Sequence, residues 1–375
     1  MASFDLAVVG AGIVGLAHAL AAARRGLRVV VLERDSRATS ASVRNFGFVT
    51  ITGQEEGVTR RRALRSREVW AEVANEAGIA VHQRGAVIMA QRPAALSVLR
   101  EFASGAMGGG CELWDPSTLR LRIPRVSGKA LGALWSPHEL RVEAREALPA
   151  LARWLEDRHG VVFAWNTMAL GVEGDTVRHS SGTLRAGAVV VTPGASIATF
   201  APDLARRVNL RQCQLQMMRL ASPGFALPGV IMGDLSLVRY EGFAAQGSAA
   251  RLKSELEGEC GPALAAGVHL IVAQASDGTL VVGDSHHYGD HADPFTASAV
   301  DDLILDAYRS FFGEPPSVVE RWAGYYPVAD VRPVLSEALG PRVHLVSVTS
   351  GTGMSTAFAI GEETVEQLFG PGIAT

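Results

Sequence analysis

The stretch DLAVVGAGIVGLAHALAAARRGLRVVVLER, residues 5–34, has the pattern of a strand, a glycine turn, a helix and a second strand. The first apolar run ends at Gly10, and the helix predicted after Gly15 runs to Gly26, a residue type that often follows a helix end. The second apolar run ends at Glu33, about 20 residues beyond the glycines. This spacing predicts an α/β domain that binds a nucleotide cofactor.

Each glycine of the turn has its own physical role. Gly10 permits the tight turn, Gly12 lets the backbone approach a pyrophosphate, and Gly15 lets the helix lie close to the strand. The first helical amides, at Ile13 and Val14, then face the phosphates, which the positive end of the helix also attracts.

Glu33 and the segment after it supply further predicted cofactor contacts. A carboxylate at this place accepts hydrogen bonds from a ribose and argues against the 2′-phosphate of NADP, but it does not separate FAD from NAD. The segment RDSRATSASVRNFGFVTI, residues 34–51, is polar and rich in small residues, as is the segment beneath the flavin ring in two-domain FAD enzymes. With an ordinary loop as the alternative, its predicted contacts are Arg34, Ser42, Arg44, Asn45 and Gly47.

A second glycine turn lies near the end of the sequence. The stretch RVHLVSVTSGTGMSTAFAIGEETVEQLF, residues 342–369, predicts a strand, a turn and a helix. Such a turn is hard to place in an NAD enzyme, whereas in a flavoenzyme the helix dipole can stabilise the negative charge of the reduced flavin. We therefore predict FAD as the cofactor, with further contacts from Gly194 in VVVTPGA and from Gly351, Thr352, Gly353 and Met354.

Composition limits the class of protein. The 375 residues are 48% hydrophobic and 19% charged, enough to bury a large core in about two domains. The net charge of −3 gives no indication of nucleic-acid binding, and the three cysteines show no disulfide or zinc spacing. The apolar stretch from Leu6 to Ala23 reads as strand plus helix and lacks a preceding positive region. We expect a cytoplasmic protein, a monomer or homo-oligomer, with no membrane or nucleic-acid partner.

The middle of the chain predicts a second sheet. A run of strand-like segments without long helices favours an antiparallel sheet that covers the cofactor. These segments are Gln212–Leu220, Gly229–Asp234, Leu237–Tyr240, His269–Gln274 and Thr279–Asp284. We predict an α/β protein with a Rossmann-like FAD-binding domain (residues 1–82, 145–208 and 325–375) and a mixed or antiparallel substrate-binding domain (residues 83–144 and 209–324).

With these pieces in order, the chain resembles the glycine oxidase, sarcosine oxidase and D-amino-acid oxidase superfamily over nearly its full length. The specific motifs are VVVTPGA, ERWAGYYPVADVRP and SGTGMSTAFAIGEE. ASVRNFGFV, RALRSREVW and GDSHHYG further resemble a subgroup associated with phosphonate breakdown. This resemblance implies oxidation of 2-aminoethylphosphonate or its N-methyl form to an imine that hydrolyses to aldehyde and amine, with oxygen as acceptor and hydrogen peroxide as product.

Departures from that family are informative. Glycine oxidase-like enzymes hold a carboxylate with an arginine in a GLRP segment, whereas this chain has GYYP, with Tyr326 at the arginine position, and no arginine in SGTGMS. Sarcosine oxidase-like members attach flavin through a cysteine in this region, but no cysteine follows Cys260, so FAD is expected to be non-covalent. Those enzymes also use a lysine toward oxygen, and the only lysines here are Lys129 and Lys253.

The predicted substrate residues follow from the chemistry of a phosphonate, whose oxygens suit the planar fork of arginine. Arg239 in SLVRYEGF and Arg332 in VADVRPVL are the candidates, with structural ion pairs as the alternative. Tyr240, His286 and Tyr325 are predicted to line the pocket, and His287 and Tyr326 to be catalytic. A metal site from Asp284, His286, His287, Asp290 and His291 is conceivable, but a packed run rarely converges on one ion, so no metal is expected.

Other functions stay open on this sequence. The same chemistry on glycine, sarcosine or a D-amino acid is one alternative. An NADPH-dependent flavin monooxygenase is another, although no second nucleotide fingerprint is found. A flavin-binding protein that has lost catalysis is the third.

Overall fold

The computed structural model describes residues 4–330 and 333–371. Its strands are β1 Phe4–Val9, β2 Val29–Leu32, β3 Phe48–Val49, β4 Val81–Ala90, β5 Glu112–Trp114, β6 Gly132–Val142, β7 Val162–Ala164, β8 Ala169–Glu173, β9 Thr176–His179, β10 Gly182–Val191, β11 Arg211–Leu220, β12 Val230–Met232, β13 Ile271–Gln274, β14 Leu280–Gly283, β15 His287–Gly289, β16 Val318–Val328, β17 Val334–Gly340 and β18 Val343–Val348. Its helices are α1 Ile13–Ala23, α2 Val58–Glu76, α3 Pro93–Ser104, α4 Pro116–Arg122, α5 Ala144–His159, α6 Ile197–Phe200, α7 Pro202–Arg207, α8 Asp234–Leu237, α9 Glu241–Ala244, α10 Ala249–Glu259, α11 Gly261–Ala265, α12 Ser298–Phe312 and α13 Gly353–Phe369. None of these described helices is both long and apolar enough to cross a membrane.

The first sheet has the order β17-β18-β10-β1-β2-β7, and its strands are parallel except for β17. Leu6 and Val8 of β1 are fully buried in a core shared with α1, α2, α5 and α13. Ala7 and Val9 point to the other face, where the β8–β9 hairpin packs through Val177. This alternation follows from the two-residue period of a strand, and it explains the continuous apolar run at Leu6–Val9.

The second sheet is mixed, with the order β15-β11-β14-β13-β12-β4-β6-β3, β16 beside β11 and β5 beside β6. Among its described pairs only β12 and β4 are parallel. These two sheets confirm the predicted α/β fold with a mixed second sheet. The predicted domain boundaries stay a prediction, and β4 and β16, which cross two of them, both belong to the second sheet.

Helices α1 and α13 lie against each other, because glycine lets their backbones come close. A Cβ built at Gly361 would lie 2.8 Å from the carbonyl oxygen of Ala17. Both helices begin beyond the carboxyl ends of parallel strands, α1 after β1 and α13 after β18. This is the edge at which open α/β sheets bind their ligands.

One predicted strand is wrong. Residues 237–240 do not form a strand: α8 ends at Leu237, a turn follows, and Tyr240 directly precedes α9. The first residue of α8, Asp234, is buried, accepts a hydrogen bond from the Gln91 amide (3.0 Å) and pairs with Arg92 (2.8 Å). These tertiary contacts fix the local backbone and override the strand preference of the sequence.

Candidate functional site

A cavity of about 530 Å³ lies between the two sheets. The first glycine turn and the start of α13 form one side, and β11, β13, β16 and the segment after β14 form the other. The site can therefore be described from its cofactor end to its polar end.

In the first glycine turn, neighbouring backbone atoms lie so close to the glycines that a residue with a Cβ would not fit. Gly10 has a φ of +104°, and a Cβ there would lie 2.6 Å from the carbonyl oxygen of Thr192. A Cβ at Gly15 would lie 1.8 Å from the carbonyl oxygen of Gly10, so only glycine lets α1 start this close to β1. The turn thereby holds the start of α1 at the cavity wall.

Two predicted polar residues meet this turn. The Ser42 hydroxyl accepts a hydrogen bond from the Ile13 amide at 3.0 Å. The Glu33 carboxylate accepts one from the Ala11 amide at 2.8 Å. The structure thus brings residues about 20 to 30 positions apart to one helix start, as a nucleotide site requires.

The second glycine turn lies on the same cavity. Gly351 has a φ of +73°, and a Cβ there would lie 3.0 Å from Cζ of Tyr326. A Cβ built at Gly353 would lie 3.7 Å from Cγ2 of Ile13, so the starts of α13 and α1 are neighbours. The Met354 carbonyl accepts a hydrogen bond from the Trp70 indole at 2.8 Å, which anchors the first turn of α13.

Most of the predicted cofactor residues line this cavity. They are Gly12, Ile13, Val14, Gly15, Ser42, Arg44, Asn45, Gly194, Gly351, Thr352, Gly353 and Met354. Gly10 and Glu33 lie directly behind the lining and shape the turn.

Two predicted cofactor residues are placed elsewhere. The Arg34 side chain is about half exposed beside Asp35 and is outside the cavity lining. Gly47 has a φ of +67°, and a Cβ there would lie 1.7 Å from the carbonyl oxygen of Val142. Gly47 is thus required for packing against β6 and does not line the cavity.

At the polar end, Arg239 lines the cavity and donates a hydrogen bond to the Tyr288 hydroxyl at 3.0 Å. Among the described residues, its guanidinium forms no ion pair with a carboxylate. Burial alone would lower the pKa of Arg239, but Tyr288, Tyr326 and Asp284 raise it overall, so the side chain stays cationic. The described residues thus give no support to the alternative that Arg239 forms a structural ion pair.

Three buried polar side chains meet beside Arg239. His269, Asp284 and His286 all line the cavity, and their ligand atoms lie within 4.8 Å of one another. Burial lowers the pKa of His286 to about 3, so its ring is neutral at pH 7. Burial opposes ionisation of Asp284, but the facing imidazoles and Arg239 hold the pKa of that carboxyl below its ordinary value.

Tyr326 lines the cavity, whereas its neighbour Tyr325 does not. Successive side chains of β16 point to opposite faces, and the Tyr325 ring lies under the guanidinium of Arg44, 5.3 Å from its centroid. The structure therefore places Tyr325 outside the cavity lining, where the sequence predicted a substrate contact. Burial raises the pKa of Tyr326 well above its ordinary value, so its hydroxyl remains a proton donor. Tyr240 is partly buried, packs against the His269 ring and also lines the cavity.

The predicted catalytic His287 is placed on the outside. It begins β15 and is exposed, while His286 before it is buried. The alternation of side chains along the chain sends two adjacent histidines in opposite directions, so only His286 reaches the cavity. His291 and Asp290 are also exposed. Arg332 lies outside the described residues.

Sequence reasoning missed His269 and Tyr288 as cavity residues. A signal for His269 was present, because it precedes β13, and the antiparallel partner of β13 is the strand that ends just before Asp284. The Asp284 amide donates to the His269 carbonyl at 3.1 Å, which places the two side chains together.

The sequence model of one family matches residues 5–367, almost the whole chain. The chain belongs to the DAO family of FAD dependent oxidoreductases. A search of curated proteins found no match.

Solved structures share the fold over nearly all of both chains. Glycine oxidase from Bacillus cereus has a TM-score of 0.79 at 16% identity, covering 98% of this chain and 95% of its own. L-α-Glycerophosphate oxidase from Mycoplasma pneumoniae, solved with FAD bound, has a TM-score of 0.78 at 14% identity and covers 98% and 95%. Iminodiacetate oxidase from Chelativorans sp. BNC1 has a TM-score of 0.73 at 16% identity and covers 99% and 97%.

The cavity fits the family's cofactor. The starts of α1 and α13 both face it, and they offer amides and positive helix ends to a pyrophosphate and to the ring of a reduced flavin. A Cβ at Gly12 would lie 3.1 Å from the Ser42 hydroxyl oxygen, so glycine keeps the approach to α1 open. The nearest cysteine of the cavity region, Cys213, is fully buried, and burial raises its pKa to about 11.

Proposed function

We propose that the protein oxidises the C–N bond of a small aminophosphonate, 2-aminoethylphosphonate or its N-methyl derivative. Bound FAD supplies the acceptor for the hydride from the carbon next to the amine. The resulting imine hydrolyses to an aldehyde and an amine. The observation that carries the proposal is Arg239, a cation that faces the cavity without a carboxylate partner.

The groups around Arg239 suit a phosphonate anion better than a carboxylate anion. A phosphonate has three oxygens, and Arg239, Tyr288 and Tyr326 present one guanidinium and two hydroxyls at the polar end of the cavity. A charge-assisted hydrogen bond from arginine to such an oxygen is among the strongest in proteins. The amine chemistry is supported by the glycine oxidase and iminodiacetate oxidase that share this fold.

Oxygen is the proposed electron acceptor, with hydrogen peroxide as the product. Both lysines, Lys129 and Lys253, are exposed and lie outside the cavity lining, so the reaction with oxygen would proceed without a lysine. Peroxide release during turnover tests this part separately from the substrate.

Substrate choice is tested by mixing the purified yellow protein, without oxygen, with each candidate amine. We expect 2-aminoethylphosphonate or its N-methyl form to bleach the flavin absorbance at far lower concentration than glycine or sarcosine. Preference for glycine, sarcosine or a D-amino acid would contradict the proposed phosphonate substrate but agree with the proposed oxidation of an amine. NADPH oxidation would indicate a monooxygenase, and no bleaching by any amine would exclude the proposed reaction.

The role of Arg239 is tested by Arg239→Met. Loss of a charge-assisted contact worth about 1.5–3 kcal/mol raises the KM for the phosphonate about 10- to 100-fold. Arg251→Met is the matched control, because Arg251 is exposed on α10 and pairs with Glu255 in the next turn. An unchanged KM in Arg239→Met would contradict the proposed binding of the anion.

A further inference from the structure

The cluster of His269, Asp284 and His286 has an arrangement that the oxidation of an amine does not require. All three side chains are buried, with 3%, 5% and 7% of their surface exposed. Nε2 of His269 lies 3.0 Å from one Asp284 oxygen, and Nε2 of His286 lies 3.9 Å from the other. Two imidazoles thus turn the same ring atom toward one carboxylate.

The nitrogens on the far side of the two rings have polar partners of their own. Nδ1 of His286 donates to the Gly267 carbonyl oxygen at 3.1 Å, since a carbonyl oxygen can only accept. Nδ1 of His269 lies 3.3 Å from the Ser236 hydroxyl, which is also 3.4 Å from the Leu270 carbonyl oxygen. Nε2, on the Asp284 side of each ring, is therefore the nitrogen available as a metal ligand.

This arrangement lacks a positive group at its centre. Oδ1 of Asp284 is fully buried, yet among the described residues it has no hydrogen-bond partner of regular geometry, although Nε2 of His269 is 3.0 Å away. A buried carboxylate oxygen without a donor is costly. A cation between the three side chains would remove this penalty.

We propose that His269, Asp284 and His286 bind a divalent transition-metal ion of the zinc type. Zinc bonds of about 2.0–2.2 Å place neighbouring ligand atoms about 3.0–3.5 Å apart at tetrahedral or octahedral angles. The His269 distance of 3.0 Å falls in this range, and the His286 distance of 3.9 Å is slightly longer. Two imidazoles and one carboxylate are a borderline donor set that suits zinc, cobalt or iron. The Gly267 carbonyl behind His286 and the Ser236 hydroxyl behind His269 are the kind of support that metal-binding histidines have.

The open coordination positions of such an ion face the cavity, which the three ligands line. With Arg239 nearby, they favour an anionic oxygen ligand. The statement that this ligand is a phosphonate oxygen rests on the proposed function, whereas the proposal of the metal site does not.

The experiment uses the FAD-loaded protein without substrate. After dialysis against a chelator, it is titrated with zinc or cobalt, and the bound metal is counted by elemental analysis and by the ligand-field absorption of cobalt. We expect one ion per chain in the wild type. Asp284→Asn and His286→Gln each weaken binding by more than about tenfold, since each removes a ligand.

His287→Gln is the matched control, because His287 is the exposed neighbour of His286. It should bind metal as the wild type does. FAD content and thermal unfolding of each variant show whether it folds, and His269→Gln replaces any variant that does not. A wild type that binds no more zinc or cobalt than Asp284→Asn would overturn the proposal, whether or not aminophosphonates reduce the flavin.

Discussion

Tyr326 connects the second sheet to the second glycine turn. Its ring lies beside Gly351, where a Cβ would approach Cζ to 3.0 Å at a φ of +73°. We expect Gly351→Ala to destabilise the FAD-free protein through backbone strain of about 1–3 kcal/mol and crowding of the ring by about as much again. Urea unfolding gives the difference in the free energy of unfolding.

Gly194→Ala is the matched control for this prediction. Gly194 has a φ of +57°, and a Cβ there meets no heavy atom within 4 Å, so the alanine brings strain without crowding. Equal destabilisation by the two substitutions would show that the Tyr326 ring moves aside freely.

The two histidines at 286 and 287 show where sequence reasoning stops at the residue scale. The motif placed both near the site, but the choice between them depends on which face of the chain turns inward. Gly267 sets that choice, because a Cβ built there would lie 2.7 Å from the His286 carbonyl oxygen, so only glycine lets the two segments come this close. The Gly267 carbonyl oxygen also accepts a hydrogen bond from the His286 ring, and only the fold brings these two groups together. His269 became a site residue for the same reason, through its pairing with the segment at Asp284.

At the scale of elements, α1 carries an acid-sensitive residue in its buried face. His18 is fully buried, and its Nδ1 donates to the Val14 carbonyl at 2.7 Å. Burial and, to a lesser extent, the nearby His344 lower the pKa of His18 from 6.5 to about 4. The hydrogen bond to Val14 acts in the opposite direction but has a weaker effect than burial. The folded state thus binds fewer protons here than the unfolded chain between these pH values.

We therefore expect stability to be lost as the pH falls from 6.5 towards 4, by about 3 kcal/mol at most from this group. His18→Leu removes that loss, so its free energy of unfolding falls less steeply than that of the wild type over this range. Chemical unfolding at several pH values measures the slope, with the exposed His287→Leu as control. Parallel slopes for wild type and His18→Leu would contradict the neutral buried ring.

The elements around the glycine turns could be predicted because local rules govern them. Gly10 and Gly15 have no acceptable replacement in their turn, and the apolar runs that precede the first and second glycine turns match β1 and β18. The segment 237–240 could not be predicted, because the short helix that ends at Leu237 and the turn after it depend on Asp234 meeting Arg92 from a distant part of the chain. Periodicity carries no information about such a contact.

For the whole molecule, the central feature is one cavity that both sheets and both glycine turns share. The order of motifs in the sequence predicted that the two turns hold one flavin. Their adjacent helix starts support this prediction, since a Cβ built at Gly353 would lie 3.7 Å from Cγ2 of Ile13. The cofactor then contributes stability to both sheets together, by about 2.7 kcal/mol when its concentration is 100 times the dissociation constant.

This coupling is tested by hydrogen exchange with two ligands of different length. ADP has the adenosine and pyrophosphate of FAD but no flavin ring, so it should protect amides at Gly12–Gly15 and leave the second turn unchanged. FAD should protect Gly12–Gly15 and also 350–355, because the start of α13 and the second sheet line the part of the cavity that would hold its ring. If FAD and ADP gave the same protection at 350–355, the second glycine turn would have no part in holding the flavin, and its closeness to Tyr326 would serve packing alone.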